Sequence, residues 1–74
     1  MKAVGERFGR VVRQSREARG WSQEGLAGRA ELNRSYLGEI ERGAAMPSLA
    51  TAAKLALALE TSLSSLITRL EQTS

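Results

Sequence analysis

The chain contains no cysteine, histidine or aspartate among its 74 residues. Without cysteine there can be no disulfide and no thiolate metal site. Without histidine the commonest general base and metal ligand is missing. The sequence also has no cluster of carboxylates and no glycine-rich phosphate loop. These absences argue against an enzyme, and we expect no metal and no cofactor.

Aromatic residues are scarce, since only Phe8, Trp21 and Tyr36 occur. This argues against a stacking platform for single-stranded nucleic acid. No apolar run approaches the ~20 residues that span a bilayer, and no signal peptide is recognisable. We therefore expect no membrane association and a location in the cytoplasm. A chain of this length forms one small domain, which gains stability by pairing with a copy of itself.

The positive charge is concentrated in the first third of the chain. The net charge is +3, and residues 1–21 contain six basic and two acidic residues. Residues 22–43 contain three basic and four acidic residues, and the remaining residues balance. A basic excess suits a polyanion such as nucleic acid, although many soluble domains carry a similar charge.

Hydrophobic periodicity predicts helices throughout and no strand. The predicted helices span residues 4–19, 23–30, 34–42, 49–59 and 63–71. Each of the last four follows a residue suited to capping a helix N-terminus, namely Ser22, Asn33, Ser48 and Ser62. The predicted inner stripe of the first helix is Val4, Phe8, Val11, Val12, Ser15 and Ala18. Short connections predict an all-α, compact five-helix bundle that forms a single domain over residues 1–74.

Residues 22–43 have the pattern of a helix-turn-helix. The apolar or small positions that define it are Leu26, Ala27, Ala30, Leu32, Leu37 and Ile40. Their spacing places one apolar face on each of two short helices, with Leu32 at the corner and Ala27 at the closest approach. Such a unit displays its second helix for a DNA major groove. The alternative is two short amphipathic helices of an unrelated small bundle.

The fourth predicted helix is apolar nearly all round, with only Thr51 and Lys54 polar. Such a helix must be covered on more than one side, and a domain of this size has little material for that. A two-fold related copy of the same face would cover it. The predicted dimer interface, in the two C-terminal helices, is Leu49, Ala53, Leu57, Leu63 and Ile67. The alternative is that this helix forms the buried centre of a monomer.

The first turn of the third helix is where base-reading residues are expected. Arg34 is the foremost candidate, because its planar guanidinium matches O6 and N7 of guanine. The alternative for Arg34 is a phosphate contact or a solvated side chain. Ser35 can donate to a base or a phosphate, whereas Asn33 is expected mainly to cap the helix.

Three further side chains of this helix are candidates for DNA contact. Tyr36 either offers its hydroxyl to a phosphate, which we favour, or packs its ring on the core. Glu39 could accept from N4 of cytosine, but phosphate repulsion favours an orientation away from DNA. Arg42 and the following loop are expected to clamp a phosphate on the far side. The other arginines of the first helix, Arg7, Arg10, Arg13 and Arg19, are expected to be mostly solvated, with one or two of them near phosphates.

The run from Phe8 to Gly43, and more loosely to Leu70, resembles the Cro and phage-repressor type of helix-turn-helix proteins. The segments Asn33-Arg34-Ser35-Tyr36 and Gly38-Glu39-Ile40-Glu41-Arg42 are similar to those of the small controller proteins of restriction-modification systems. The resemblance implies a lambda-repressor-like DNA-binding fold. It also implies a homodimeric transcription factor that binds two-fold related half-sites of double-stranded DNA in its own promoter. The regulated gene would encode an endonuclease, and RNA polymerase is a further partner to expect.

The resemblance also assigns roles to three residues outside the first turn of the third helix. It places a phosphate contact at Gln23, where the N-terminus of the second helix favours an anion. It aligns Arg16 and Glu41 with a partly buried structural ion pair. One departure is Glu31, which occupies a left-handed turn position that usually holds glycine, at a cost of ~1 kcal/mol.

A second interpretation is a protein-interaction module, such as the antitoxin of a toxin–antitoxin pair, in which the last two helices bind a different protein. Antitoxins often carry a disordered segment for the toxin. The 74 residues contain almost none, so the transcription regulator is the favoured hypothesis.

Overall fold

A computed structural model describes residues 3–72 and contains five α-helices in this range. They are α1 (Val4–Ala18), α2 (Gln23–Ala30), α3 (Arg34–Arg42), α4 (Leu49–Ala58) and α5 (Leu63–Gln72). No strand occurs among these residues. The predicted all-α five-helix bundle is confirmed, and every predicted helix end lies within one residue of the observed one.

Side-chain caps begin the last four helices, as the sequence predicts. The hydroxyls of Ser22, Ser48 and Ser62 each accept a hydrogen bond from the backbone amide three residues later, at 3.0 to 3.1 Å. The Asn33 side chain caps α3 in the same way. Each cap satisfies a backbone donor that has no partner inside the helix, so the boundaries follow from local chemistry.

Every helix contributes to one hydrophobic core. Its buried members are Phe8, Val11, Val12, Leu26, Ala27, Ala30, Leu37, Ile40, Ala52, Leu55, Ala56, Leu59, Leu66 and Leu70. The predicted inner stripe of α1 was wrong at its ends, because Val4 and Ala18 are exposed and Ser15 is half-buried.

The closest approach in the fold lies between α1 and α3, at Gly9. A Cβ atom built on Gly9 would lie 2.2 Å from the carbonyl oxygen of Ile40 and 2.7 Å from that of Glu41. These are backbone atoms, which cannot move unless α3 itself moves. Gly9 therefore sets the distance between the N-terminal helix and the C-terminal half of α3.

The turn between α2 and α3 has the predicted left-handed residue. Glu31 has φ 57° and ψ 43°, and its amide closes the end of α2. Glu60, which follows α4, has φ 59° and was not anticipated. Across the described range, no helix is long and apolar enough to cross a membrane.

Candidate nucleic-acid interface

Helix α3 buries one side and exposes the other. Leu37, Gly38, Ile40 and Glu41 are buried. The exposed residues of the helix are Arg34, Ser35, Glu39 and Arg42. Since these four are polar or charged and close together on a short helix, the protein presents a surface that can hydrogen-bond to a macromolecule.

Helix α2 packs against the buried side of α3. Leu26, Ala27 and Ala30 are buried, and Leu32 in the turn is half-buried against the same core. Backbone hydrogen bonds from Glu31 and Leu32 to the last turn of α2 fix the corner. This is the helix-turn-helix geometry that the spacing predicts, and it holds α3 in one orientation.

The first turn of α3 is ordered by Asn33. Its Oδ1 accepts hydrogen bonds from the amides of Ser35 at 2.8 Å and Tyr36 at 3.3 Å. The Tyr36 ring is half-buried against the core. The ring of Tyr36 therefore packs on the core, and a contact between its hydroxyl and a phosphate stays a prediction. Arg34 and Ser35 remain exposed between these two anchored neighbours.

A buried polar network joins α1, α2 and α3. Arg16 binds Glu41 through two hydrogen bonds, Nε to Oε2 at 2.8 Å and Nη2 to Oε1 at 3.0 Å. Arg16 also donates from Nη1 to the carbonyl oxygen of Trp21 at 2.8 Å. Gln23 donates from Nε2 to Oε1 of Glu41 at 3.0 Å. The structure thus brings together the two residues of the ion pair that the resemblance implies, and adds Gln23 to them.

The ion pair at the centre of the network is largely shielded from solvent. The Arg16 and Glu41 side chains are only 12% and 2% exposed. The hydrogen bonds that Arg16 donates to Glu41 raise the pKa of Arg16, whereas burial alone would lower it. A raised arginine pKa means that Arg16 keeps its positive charge throughout the physiological pH range.

Arg42 lies near Gln23, and its predicted contact with a phosphate stays a prediction. A Cβ atom built on Gly38 would lie 3.2 Å from Nη1 of Arg42 and 3.7 Å from Oε1 of Gln23. Arg42 and Gln23, with Arg13, Arg16 and Glu41, line one surface pocket. Because Gly38 has no side chain, the guanidinium of Arg42 and the amide of Gln23 can both lie close to the backbone of α3 at this point.

Several arginines are held by contacts within the protein. Arg19 pairs with Glu60 at 2.7 Å, and Arg13 pairs with Glu17 at 3.1 Å. The guanidinium groups of Arg29 and Arg19 lie 4.0 and 5.3 Å from the centre of the Trp21 ring. The expectation that the helix 1 arginines are mostly solvated holds for Arg13 and Arg19, which are exposed, and was wrong for Arg7 and Arg10, which are half-buried. Sequence spacing gave no signal for contacts between residues this far apart.

A separate apolar face lies on α4 and α5. Leu49 and Leu57 are 74% and 79% exposed, and Ala53 lies between them on the same side of α4. Ile67 of α5 is 38% exposed, whereas Leu63 is half-buried against the core. The alternative that α4 is the covered centre of a monomer is wrong, because only one side of the helix is buried. We refer to Leu49, Ala53, Leu57 and Ile67 as the α4–α5 patch.

Comparison with known proteins places this architecture among helix-turn-helix proteins. Residues 12–66 match the family described as "Helix-turn-helix". An uncharacterised HTH-type transcriptional regulator of Bacillus subtilis (strain 168), YazB, is 47% identical over 45 residues, which are 61% of this chain. That match spans 65% of the length of YazB.

Two solved structures extend the likeness over most of the chain. The restriction-modification controller protein C.AhdI from Aeromonas hydrophila superimposes with a TM-score of 0.82 and 44% identity, over 84% of this chain and 94% of its own. The clp gene regulator ClgR from C. glutamicum superimposes with a TM-score of 0.93 and 25% identity, over 99% and 95% of the two chains. The predicted resemblance to controller proteins is confirmed.

Proposed function

The chain belongs to the helix-turn-helix family, and on that premise we propose that it is a homodimeric transcription regulator that binds a specific sequence of double-stranded DNA. The observation that carries this proposal is that α3 has one exposed polar side and is held in place by its buried side. Its first turn exposes Arg34 and Ser35, while its opposite side is buried on α1 and α2. A helix held in this way fits a major groove, with its N-terminal residues at the base edges.

The roles of the contacting residues follow from their positions. Arg34 is the residue assigned to guanine, and Ser35 is assigned to an adjacent base or phosphate. Gln23 at the N-terminus of α2 and Arg42 beside it are assigned to the phosphate backbone, which positions α3. Asn33 and Tyr36 act by holding the first turn of α3 in place, and Arg16 and Glu41 by joining the three helices.

The α4–α5 patch is assigned to the homodimer. A stripe formed by Leu49, Ala53 and Leu57 can meet its own two-fold copy, since an isologous contact needs only one self-complementary surface. Burying it would also add apolar area that a domain of this size otherwise lacks. Two copies of α3 would then read half-sites about 34 Å apart, one turn of the duplex.

We propose further which system the protein regulates. The 44% identity with C.AhdI supports a controller that binds its own promoter and times expression of a restriction-modification system. RNA polymerase is then the expected protein partner at that promoter, and the cytoplasm is the expected location.

A mobility-shift titration with the DNA upstream of its own gene tests whether the protein binds its own promoter. We expect a discrete complex whose affinity exceeds that for random duplex of equal length by ~10³-fold or more. Equal affinity for both duplexes would contradict the proposal.

Arg34→Ala is expected to lower the specificity ratio rather than the stability. Loss of one arginine–guanine contact costs ~1–3 kcal/mol per half-site, so a dimer would lose discrimination between its site and random duplex by at least about tenfold. Thermal unfolding should be unchanged because the side chain is exposed. Arg13→Ala, which also removes an exposed arginine, should weaken binding to all duplexes alike. An unchanged specificity ratio for Arg34→Ala would remove it as the base reader.

Leu57→Glu is expected to convert the dimer into a monomer. The substitution places a charge on a side chain that is 79% exposed in the single chain, so the fold should survive. Burying that charge against an apolar partner is unfavourable, and a monomer loses the second half-site. Sedimentation equilibrium measures the effect, with Gln14→Glu on α1 as a charge-matched control. A Leu57→Glu protein with the wild-type sedimentation behaviour would show that the interface lies elsewhere.

A further inference from the structure

Glu39 lies at the centre of the outward side of α3. With ~100° per residue, it is rotated by about 160° from both Leu37 and Glu41, which are buried. Ser35 precedes it by four residues, so their side chains form one stripe. If α3 enters a major groove, Glu39 points towards the bases. This geometry favours the alternative that Glu39 accepts a hydrogen bond from a base over an orientation away from DNA.

The Glu39 carboxylate has no hydrogen-bond or ion-pair partner within residues 3–72. The ion pairs of this range use Glu17, Glu41 and Glu60 instead. Arg34 and Arg42 lie on the same helix but pair with neither oxygen. An ionised carboxylate accepts hydrogen bonds and cannot donate. Its acceptor capacity is therefore free on the surface assigned to DNA.

Resting on the proposed function, we propose that Glu39 is a specificity-determining residue that accepts a hydrogen bond from the exocyclic amino group of a base. In the major groove these donors are N4 of cytosine and N6 of adenine. Guanine and thymine present acceptors at the corresponding positions, and the carboxylate repels them. Glu39 thus selects one pair of bases and rejects the other pair at a single position of each half-site.

The charge balance of the helix-turn-helix supports this role. Residues 22–43 contain three basic and four acidic residues, so the inserted unit has no cationic excess of its own. A carboxylate in the groove weakens binding to every duplex that offers it no donor, because it faces the phosphates unpaired. Glu39 is therefore expected to lower non-specific affinity and so to raise the ratio of specific to non-specific binding.

Selection from a duplex library with a randomised central segment tests the proposal. The full chain is used as wild type, as Glu39→Ala, which removes the acceptor, as Glu39→Gln, which removes only the charge, and as Glu24→Gln. Glu24→Gln is the charge-matched control, since Glu24 is an exposed glutamate in the first turn of α2. Bound duplexes are sequenced, and affinities for one selected and one random duplex are then measured. Circular dichroism checks that the variants are folded.

We expect the wild type to enrich a two-fold symmetric site in which one position prefers cytosine or adenine, and the base enriched there identifies the donor. Glu39→Ala, which removes the acceptor, should lower the preference at that position alone by roughly tenfold, and both Glu39 variants should raise affinity for random duplex. Glu24→Gln should scale all affinities by a common factor. If Glu39→Ala keeps every base preference, the inference is overturned while the proposed function stands. If the wild type enriches no sequence, the proposed function fails, and this inference fails with it.

Discussion

Replacing Arg16 with methionine is expected to lower the free energy of unfolding by ~3–5 kcal/mol, because it leaves the buried Glu41 carboxylate without its cation. That carboxylate is 2% exposed and accepts three hydrogen bonds, two of which come from Arg16. Arg16 also binds the carbonyl oxygen of Trp21, so the substitution frees the segment between α1 and α2. Since domains are stabilised by only ~5–15 kcal/mol, a large part of the protein should be unfolded at 37 °C.

Chemical denaturation measures this effect against two controls. Arg13→Met removes an exposed arginine that also pairs with a glutamate, and we expect a loss of less than ~1 kcal/mol. The double variant Arg16→Met with Glu41→Leu removes both buried charges and should recover most of the stability. If Arg16→Met were no more destabilising than Arg13→Met, the network would not be the element that joins the three helices.

Gly9→Ala is expected to destabilise the fold by ~1–3 kcal/mol, at the upper end of this range. The new methyl group would meet the carbonyl oxygens of Ile40 and Glu41, and only a displacement of α3 can relieve that clash. Because α3 is the helix assigned to DNA, its displacement should also reduce the specificity ratio in the protein that remains folded.

Gly5→Ala is the matched control, one turn earlier on the same helix. A Cβ atom there would find its nearest neighbours at 3.8 Å, an ordinary contact distance. Alanine is the better helix former by ~1 kcal/mol, so Gly5→Ala should stabilise the protein. Thermal unfolding of the two variants should therefore shift in opposite directions. A shift of the same sign and size in both would mean that α1 and α3 are not in close contact at Gly9.

The helices and their boundaries were predictable because their causes are local. Ser22, Asn33, Ser48 and Ser62 cap helices through bonds to amides two or three residues away. The spacing of apolar residues likewise identifies the helix-turn-helix, since both of its helices and its corner lie within 22 residues. The exposed side of α4 was also predictable, because its apolar residues exceed what one neighbouring surface can cover.

Contacts between distant residues were less predictable. The bond from Gln23 to Glu41 and the packing of Arg29 on Trp21 depend on how helices are placed, which periodicity does not encode. Gly9 could have been identified from the sequence, because a glycine within a helix costs ~1 kcal/mol relative to alanine and therefore indicates a close approach by another part of the chain. For Glu39 the sequence shows that the side chain can accept hydrogen bonds, whereas the packing of α3 was needed to show which way the side chain faces.

A modified base tests directly whether Arg34 contacts the major-groove edge of a guanine. The selected duplex is prepared with guanine or with 7-deazaguanine at the position that Arg34→Ala no longer discriminates, and both proteins are titrated with both duplexes. Because the modified base lacks the N7 acceptor, we predict that it weakens wild-type binding about tenfold and leaves Arg34→Ala unaffected. If 7-deazaguanine weakens both proteins by the same factor, or neither, then α3 does not read the groove through Arg34.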